Sequence, residues 1–173
     1  MKGKTDQGFT LIELLIVVAI ISIIAAIAVP GLMSAKVSGN EAAAITAMRT
    51  THASQLLYST SCGMGGYAPS YTTLGTPPPG SPNSFISDYM GRHATPVKNG
   101  YTFTVAAGSG SAAGPPDCNG AATITTYIAT GVPQTFGTTG NRSFSVNMSG
   151  SIWYVAAAAA PSEPFGPPAT TIQ

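Results

Sequence analysis

The chain has 173 residues, enough for one modest domain and an appended segment. Only 8% of them are charged, against about a quarter in ordinary soluble proteins, and 44% are apolar. The net charge of +1 resides in Lys2, Lys4 and Asp6; the remaining five basic and five acidic residues balance, leaving no electrostatic footprint for nucleic acid or an anionic membrane surface.

The chain opens with a polar, basic leader, MKGKTDQG, at residues 1–8. An apolar run of 21 residues follows at 9–29. A conventional secretory signal has a shorter apolar core and a small-residue cleavage site after it. As a helix rising about 1.5 Å per residue, this run is long enough to span a bilayer core of about 30 Å. Glu13 breaks its first turn. A carboxylate there is either a tolerated interfacial residue of a simple anchor or a functional group that requires a partner.

The stretch Gly8-Phe9-Thr10-Leu11-Ile12-Glu13-Leu14 resembles the processing signal of type IV prepilins and of the related pseudopilins of type II secretion. The resemblance implies cleavage by a prepilin peptidase between Gly8 and Phe9, and N-methylation of the new terminus at Phe9. Lys2 and Lys4 then fit the positive-inside rule for a cytoplasmic leader. It also supplies a partner for Glu13: the methylated amine of Phe9 on a neighbouring subunit. Because desolvating such a pair is costly, its value lies in register, since a wrongly offset subunit buries an unpaired charge.

Pro30-Gly31 directly follows the run and predicts a kink or local unwinding. Helix formers resume at once, so residues 30–58 read as a continuation of one long bent helix. Ile45, Met48, His52 and Leu56 fall at helical spacing on the expected buried side. His52 reads as a core or boundary histidine rather than a ligand. Gly39 weakens the helix by about 1 kcal/mol relative to alanine.

Residues 59–155 read as a globular antiparallel β domain. The Gly-rich stretch after Cys62 breaks the helix, and Thr76-Pro-Pro-Pro-Gly-Ser-Pro is a loop. A short helix is expected at 84–90, with strands at 101–107, 123–130, 143–147 and 151–155, the last two forming a hairpin. The expected fold is therefore α+β, with the long helix across one face of a three- or four-stranded sheet. Cys62 and Cys118, in an exported chain, point to a disulfide; the rival reading joins them with His52 and His93 in a zinc site, at a spacing that matches no compact zinc motif. Residues 156–173, rich in Pro and Ala, read as a mobile tail.

Further stretches, among them Asn40-Glu41-Ala42, Met48-Arg49-Thr50, Gly66-Tyr67-Ala68-Pro69 and Gly100-Tyr101-Thr102-Phe103, resemble a bacterial group of pilin and pseudopilin-like proteins. Major pseudopilins of that group hold calcium in a late, acidic loop. Here no Asp follows Asp117 and the one later Glu is Glu163, which predicts no calcium site and no other metal or cofactor. Asp88, Asp117, His52 and His93 show no catalytic spacing, so an enzyme is not expected. Two glycosylation sequons, at Asn141 and Asn147, carry no weight as short patterns.

The expected protein is a structural subunit, inserted once in the inner membrane as a precursor, then trimmed and polymerised into an extracellular helical filament. Its partners would be further copies of itself, the prepilin peptidase and methyltransferase, and an inner-membrane assembly platform with its ATPase. The alternative is a pseudopilin of a short periplasmic piston. An anchored periplasmic binding or enzymatic domain is a third, different class.

Overall fold

The computed structural model describes residues 8–172. The leader residues Lys2, Lys4 and Asp6 lie outside the described residues. One helix, α1 (Leu11–Ser61), occupies 51 residues, and the chain divides into two compact units at Lys36 and Val37.

In the first unit every residue from 8 to 36 is exposed. Helix formers and β-branched residues alternate here without packing partners, so the helix rests on its own backbone hydrogen bonds. α1 passes through Pro30 and Gly31 unbroken, and the local unwinding expected there is absent in the lone chain. Proline deletes one N–H donor, and the long helical flanks hold the intervening turn.

The second unit contains the rest of α1, two single-turn helices and a sheet. The short helices are α2 (Tyr71–Leu74) and α3 (Asp88–Gly91). The strands are β1 (Val97–Lys98), β2 (Tyr101–Ala107), β3 (Tyr127–Pro133), β4 (Ser143–Asn147), β5 (Ile152–Val155) and β6 (Thr170–Thr171). They form one antiparallel sheet in chain order, β1-β2-β3-β4-β5-β6. The α+β arrangement read from the sequence is present, with six strands rather than three or four.

The extra strands are short edges. β1 joins β2 through Asn99 and Gly100, both at positive φ (49° and 72°), with Lys98 facing Tyr101. A two-residue turn with both central residues at positive φ matches the twist of paired strands, which is why Asn-Gly favours it. β3 begins four residues later than expected. Thr123 is diverted into the neighbouring loop, where its hydroxyl donates to the Pro115 carbonyl at 2.6 Å, and Gly131, Val132 and Pro133 pair instead with Phe103, Thr102 and Tyr101. Only the end of the expected 84–90 helix forms, as the single turn of α3.

The core lies between α1 and the inner face of the sheet. Tyr101, Phe103, Tyr127, Ala129, Phe144 and Val146 are buried from the strands, and Ala44, Met48 and Tyr58 from the helix. The buried stripe of α1 runs through Glu41, Ala44, Met48, Thr51, Gln55 and Tyr58, not through Ile45, His52 and Leu56 as expected. Met48 alone is common to both. Leu56 is 43% exposed and Leu57 55%, while Gln55 is fully buried. Gln55 earns its position by closing two backbone bonds: its Nε2 donates to the Ala68 carbonyl and its Oε1 accepts from the Ala68 N–H, both at 2.9 Å.

The segment expected as a mobile tail folds back on the sheet. Ser143 donates to the Ala157 carbonyl and Ser145 to the Pro161 carbonyl, each at 2.6 Å, and β6 pairs with β5. Composition misled here because its prolines supply carbonyl acceptors and need no ladder of donors. The tail explains why both faces of β4 are buried.

Candidate assembly site

The candidate site begins at Gly8, which is exposed and has nothing within 4 Å of a built Cβ. This fold therefore places no steric demand for glycine there. Any such demand belongs to an enzyme that must receive the peptide. Phe9 follows at 81% exposure.

Thr10 and Glu13 start α1 with reciprocal hydrogen bonds. The Glu13 Oε2 accepts from the Thr10 N–H at 2.9 Å and from the Thr10 hydroxyl at 2.6 Å. The Glu13 N–H donates to Thr10 Oγ1 at 3.4 Å. This is a capping box, which satisfies helix N–H groups that have no partner within the helix and sets a carboxylate against the positive end of the helix dipole. Beyond the two roles expected of Glu13, interfacial residue or intermolecular partner, the carboxylate is a local cap, and the Thr-x-x-Glu spacing ahead of an apolar run is its sequence signal.

Beyond the cap, α1 presents leucine, isoleucine and valine on all sides, from Leu11 at 77% exposure to Ile27 at 78%. It is long and apolar enough to cross a membrane. Ser22, the one hydroxyl-bearing residue between Leu11 and Val29, donates to the Val18 carbonyl at 2.7 Å, so this donor too is satisfied within the helix. Gly31 and Gly39 likewise have open space at a built Cβ.

Polar groups of the second unit fall in separate places. Cys62 and Cys118 form a disulfide, and the Cys118 N–H donates to the Cys62 carbonyl at 2.9 Å. The zinc reading is thereby overturned: both thiols are consumed, His52 instead meets Tyr127, and His93 lies near Tyr89. Among the described residues no three His, Cys, Asp or Glu side chains group to hold a metal.

Asp117 is buried beside the disulfide. Its Oδ2 accepts from the Tyr58 hydroxyl at 2.8 Å, and its Oδ1 accepts from the Asn119 and Ala121 N–H groups at 2.8 and 2.7 Å. Burial, with Asp117 as a secondary cause, pushes the Tyr58 phenol well above its ordinary range. Burial does the same to Tyr71 and Tyr127. Asp88 is spent on an exposed pair with Arg92, one helical turn away.

His52 Nδ1 lies 2.6 Å from the Tyr127 hydroxyl, and its ring meets Gly150 closely enough that a Cβ there would fall 2.7 Å from Nε2. Burial lowers the imidazole pKa, opposed by a backbone hydrogen bond to Asn147. This is the boundary histidine expected from its place on α1.

The most extensive ionic arrangement among the described residues has no local sequence signature. Glu41 is buried, its Oε2 pairing with Arg142 Nη2 and Nε, each at 2.7 Å, and its Oε1 accepting from the Asn141 N–H at 2.8 Å. The guanidinium lies 5.7 Å from the Phe144 ring centre and 5.1 Å from that of Tyr154. Asn40 donates to the Thr139 carbonyl at 3.0 Å, so two adjacent helix residues hold the loop that enters β4. Tyr101 donates to the Arg142 carbonyl at 2.8 Å; its own pKa is pushed up to about 12, by burial first and by Glu41 second. Partners a hundred residues apart left no local pattern to read.

No curated protein and no solved structure matches the chain. Residues 3–29 match the family model of the prokaryotic N-terminal methylation motif. That span holds the Gly8–Phe9 junction, the Thr10–Glu13 cap and the whole apolar run. Such a motif implies processing by a prepilin peptidase, and with an apolar N-terminal helix it fits a precursor anchored in the inner membrane. Taken with the long helix and the antiparallel sheet, the match supports the type IV pilin and pseudopilin family.

Proposed function

We propose that this chain is a structural pilus subunit, cut between Gly8 and Phe9, methylated at Phe9 and polymerised through its N-terminal helix into an extracellular filament. The observation that carries this reading is the methylation motif over residues 3–29 on a helix whose described residues up to 36 are wholly exposed. An apolar surface of that extent demands a lipid or protein environment. A membrane supplies it for the precursor, and packed copies supply it in a filament.

Glu13 accepts the methylated amine of Phe9 from the next subunit and so sets register. Pro30 and Gly31 mark where the helix kinks or melts once copies pack, and Pro30 is the residue that makes such melting cheap. The subunit performs no catalysis; extension is driven by an assembly ATPase in the inner membrane. Calcium is not required, since Asp117 is committed to Tyr58 and two backbone donors and Glu163 to Ser109 and Asn147.

A pseudopilin reading shares the same N-terminus and differs in where the mature chain resides. Shearing filaments from the cell surface and measuring the intact mass of this protein separates the two. Abundant chains beginning at methylated Phe9 are expected. Processed chains confined to the envelope would favour the pseudopilus, and chains retaining Met1 in the presence of an active prepilin peptidase would overturn both.

A further inference from the structure

The chain has six asparagines, and two of them precede glycine: Asn99-Gly100 and Asn119-Gly120. The other four precede Glu41, Ser84, Arg142 or Met148. A side chain on the following residue hinders its amide nitrogen from reaching the asparagine Cγ, and glycine leaves that approach open. By sequence, Asn99 and Asn119 are therefore equal candidates for deamidation. Their surroundings in the fold separate them.

Asn119 is locked. Its N–H donates to Asp117 Oδ1 at 2.8 Å, and the nitrogen that would attack it, the Gly120 N–H, donates to the Asp117 carbonyl at 2.9 Å. Its side-chain amide donates to the Pro77 carbonyl at 3.3 Å, and its neighbour Cys118 is tied to Cys62. Asn99 is exposed, and among the described residues the Gly100 N–H meets no acceptor. The Gly100 carbonyl is held by the Gln134 N–H at 2.8 Å, which leaves the nitrogen on the other side of that residue bare. Asn99 sits at φ 49°, and bringing its Cγ to the Gly100 nitrogen requires the backbone to turn out of this left-handed conformation. The turn closes β1, which is two residues long and pairs through Val97 and Lys98. An edge this short opens well below the free energy of global unfolding.

We infer that Asn99 is a site of spontaneous, residue-selective deamidation, with water as the co-reactant. The Gly100 nitrogen loses its proton and bonds to the Asn99 Cγ. The bond from Cγ to the side-chain nitrogen breaks, and that nitrogen leaves as ammonia. Water then opens the cyclic imide at either carbonyl, giving aspartate or, with the chain routed through the side chain, isoaspartate. Aspartate also tolerates positive φ and keeps the β1–β2 turn, whereas isoaspartate lengthens the backbone by one carbon and removes it. Either product adds a negative charge. From residue 37 onward the side chains of Arg49, Arg92, Lys98 and Arg142 balance those of Glu41, Asp88, Asp117 and Glu163, so one event ends that balance. The new charge falls beside Lys98, in the groove that Asn99 lines with Ala43, Ala47 and Met90. The inference holds for a pilus or a pseudopilus alike, since it concerns the second unit by itself.

The test uses the full-length, disulfide-bonded protein in detergent micelles, held for days at mildly alkaline pH. Digestion in acid then suppresses further reaction, and fragment-ion mass spectrometry places each deamidated residue and separates aspartate from isoaspartate. In the folded protein Asn99 should react on the order of tenfold faster than Asn119. In urea, with the Cys62–Cys118 disulfide reduced, the two should react at similar rates, because both precede glycine. An Asn99 that stays intact in the folded chain while reacting in urea would overturn the inference, since the turn would then protect it. Equal rates at Asn99 and Asn119 in the folded protein, or a preference for Asn99 that persists in urea, would overturn it as well, because the fold would then not be what separates them.

Discussion

The two halves of α1 have the same secondary structure and opposite relations between hydrophobicity and burial. From Leu11 to Lys36 the helix is almost entirely apolar and entirely exposed. From Val37 to Ser61 it is mixed, and the residues it buries include Glu41, Thr51, Ser54 and Gln55. In the second half, the buried Glu41, Thr51 and Gln55 side chains each have hydrogen-bond partners, so their burial carries little desolvation penalty. In the first half no described residue covers the apolar surface, and removing it from water is what the proposed membrane and filament environments would do. Apolar sequence therefore marks where the protein meets something else, and polar sequence marks part of its own core.

The sharpest way to break this comparison is at Glu13. Glu13→Ala should abolish or severely reduce filament number while leaving the melting temperature of the second unit unchanged, as counted by electron microscopy of sheared material and checked by thermal denaturation. Normal filament numbers would remove Glu13 from assembly. Next in size is the disulfide. Cys62 and Cys118 are separated by 56 residues, and replacing both with serine should cost the second unit about 4 kcal/mol in denaturant melts, with no effect on the helicity of residues 11–36.

Within α1 itself, Met48→Ala should cost 2–5 kcal/mol, roughly, because Met48 is fully buried. Leu15→Ala should leave stability of the second unit unchanged and act only on membrane retention or polymerisation. Gln55→Ala should cost roughly 1–3 kcal/mol by stranding the Ala68 N–H and carbonyl, whereas the neighbouring Leu56→Ala should fall within about 0.5 kcal/mol of wild type. Urea titrations of the four variants decide whether hydrogen bonding or apolar character sets the buried face.

The smallest effect concerns His52. Burial depresses its pKa in the folded state, so the unfolded chain binds the proton more readily. Stability should be fully present above the ordinary histidine value of about 6.5 and decline as pH falls from there towards the folded pKa, with no further change from this group below it. His52→Gln should flatten that part of the pH–stability profile. An unchanged profile would mean that His52 titrates alike in both states.

Legibility followed the range of the interactions. Glu13, Phe9 and Gly8 were read as a site from neighbours within six residues, and the hairpin of β4 and β5 was legible from alternation and one glycine-containing turn. The β1–β2 turn, as Asn99-Gly100, and the helix cap, as Thr10-x-x-Glu13, are equally local signals. The buried face of α1 was not legible, because Thr51 and Gln55 become core residues only when Tyr71 and Ala68 arrive to bond them. Glu41 is buried only because Arg142, a hundred residues on, closes on it.

By itself the sequence determined the apolar helix, its cap and the strand-forming segments, since propensity, periodicity and capping act between near neighbours along the chain. Tertiary structure decided which polar side chains are buried, which loop Glu41 holds, that Cys62 meets Cys118, and that residues 156–172 fold back on the sheet. Each of those outcomes depends on satisfying a hydrogen bond, a charge or a covalent partner contributed by a distant part of the chain, and no local pattern specifies which distant group will come.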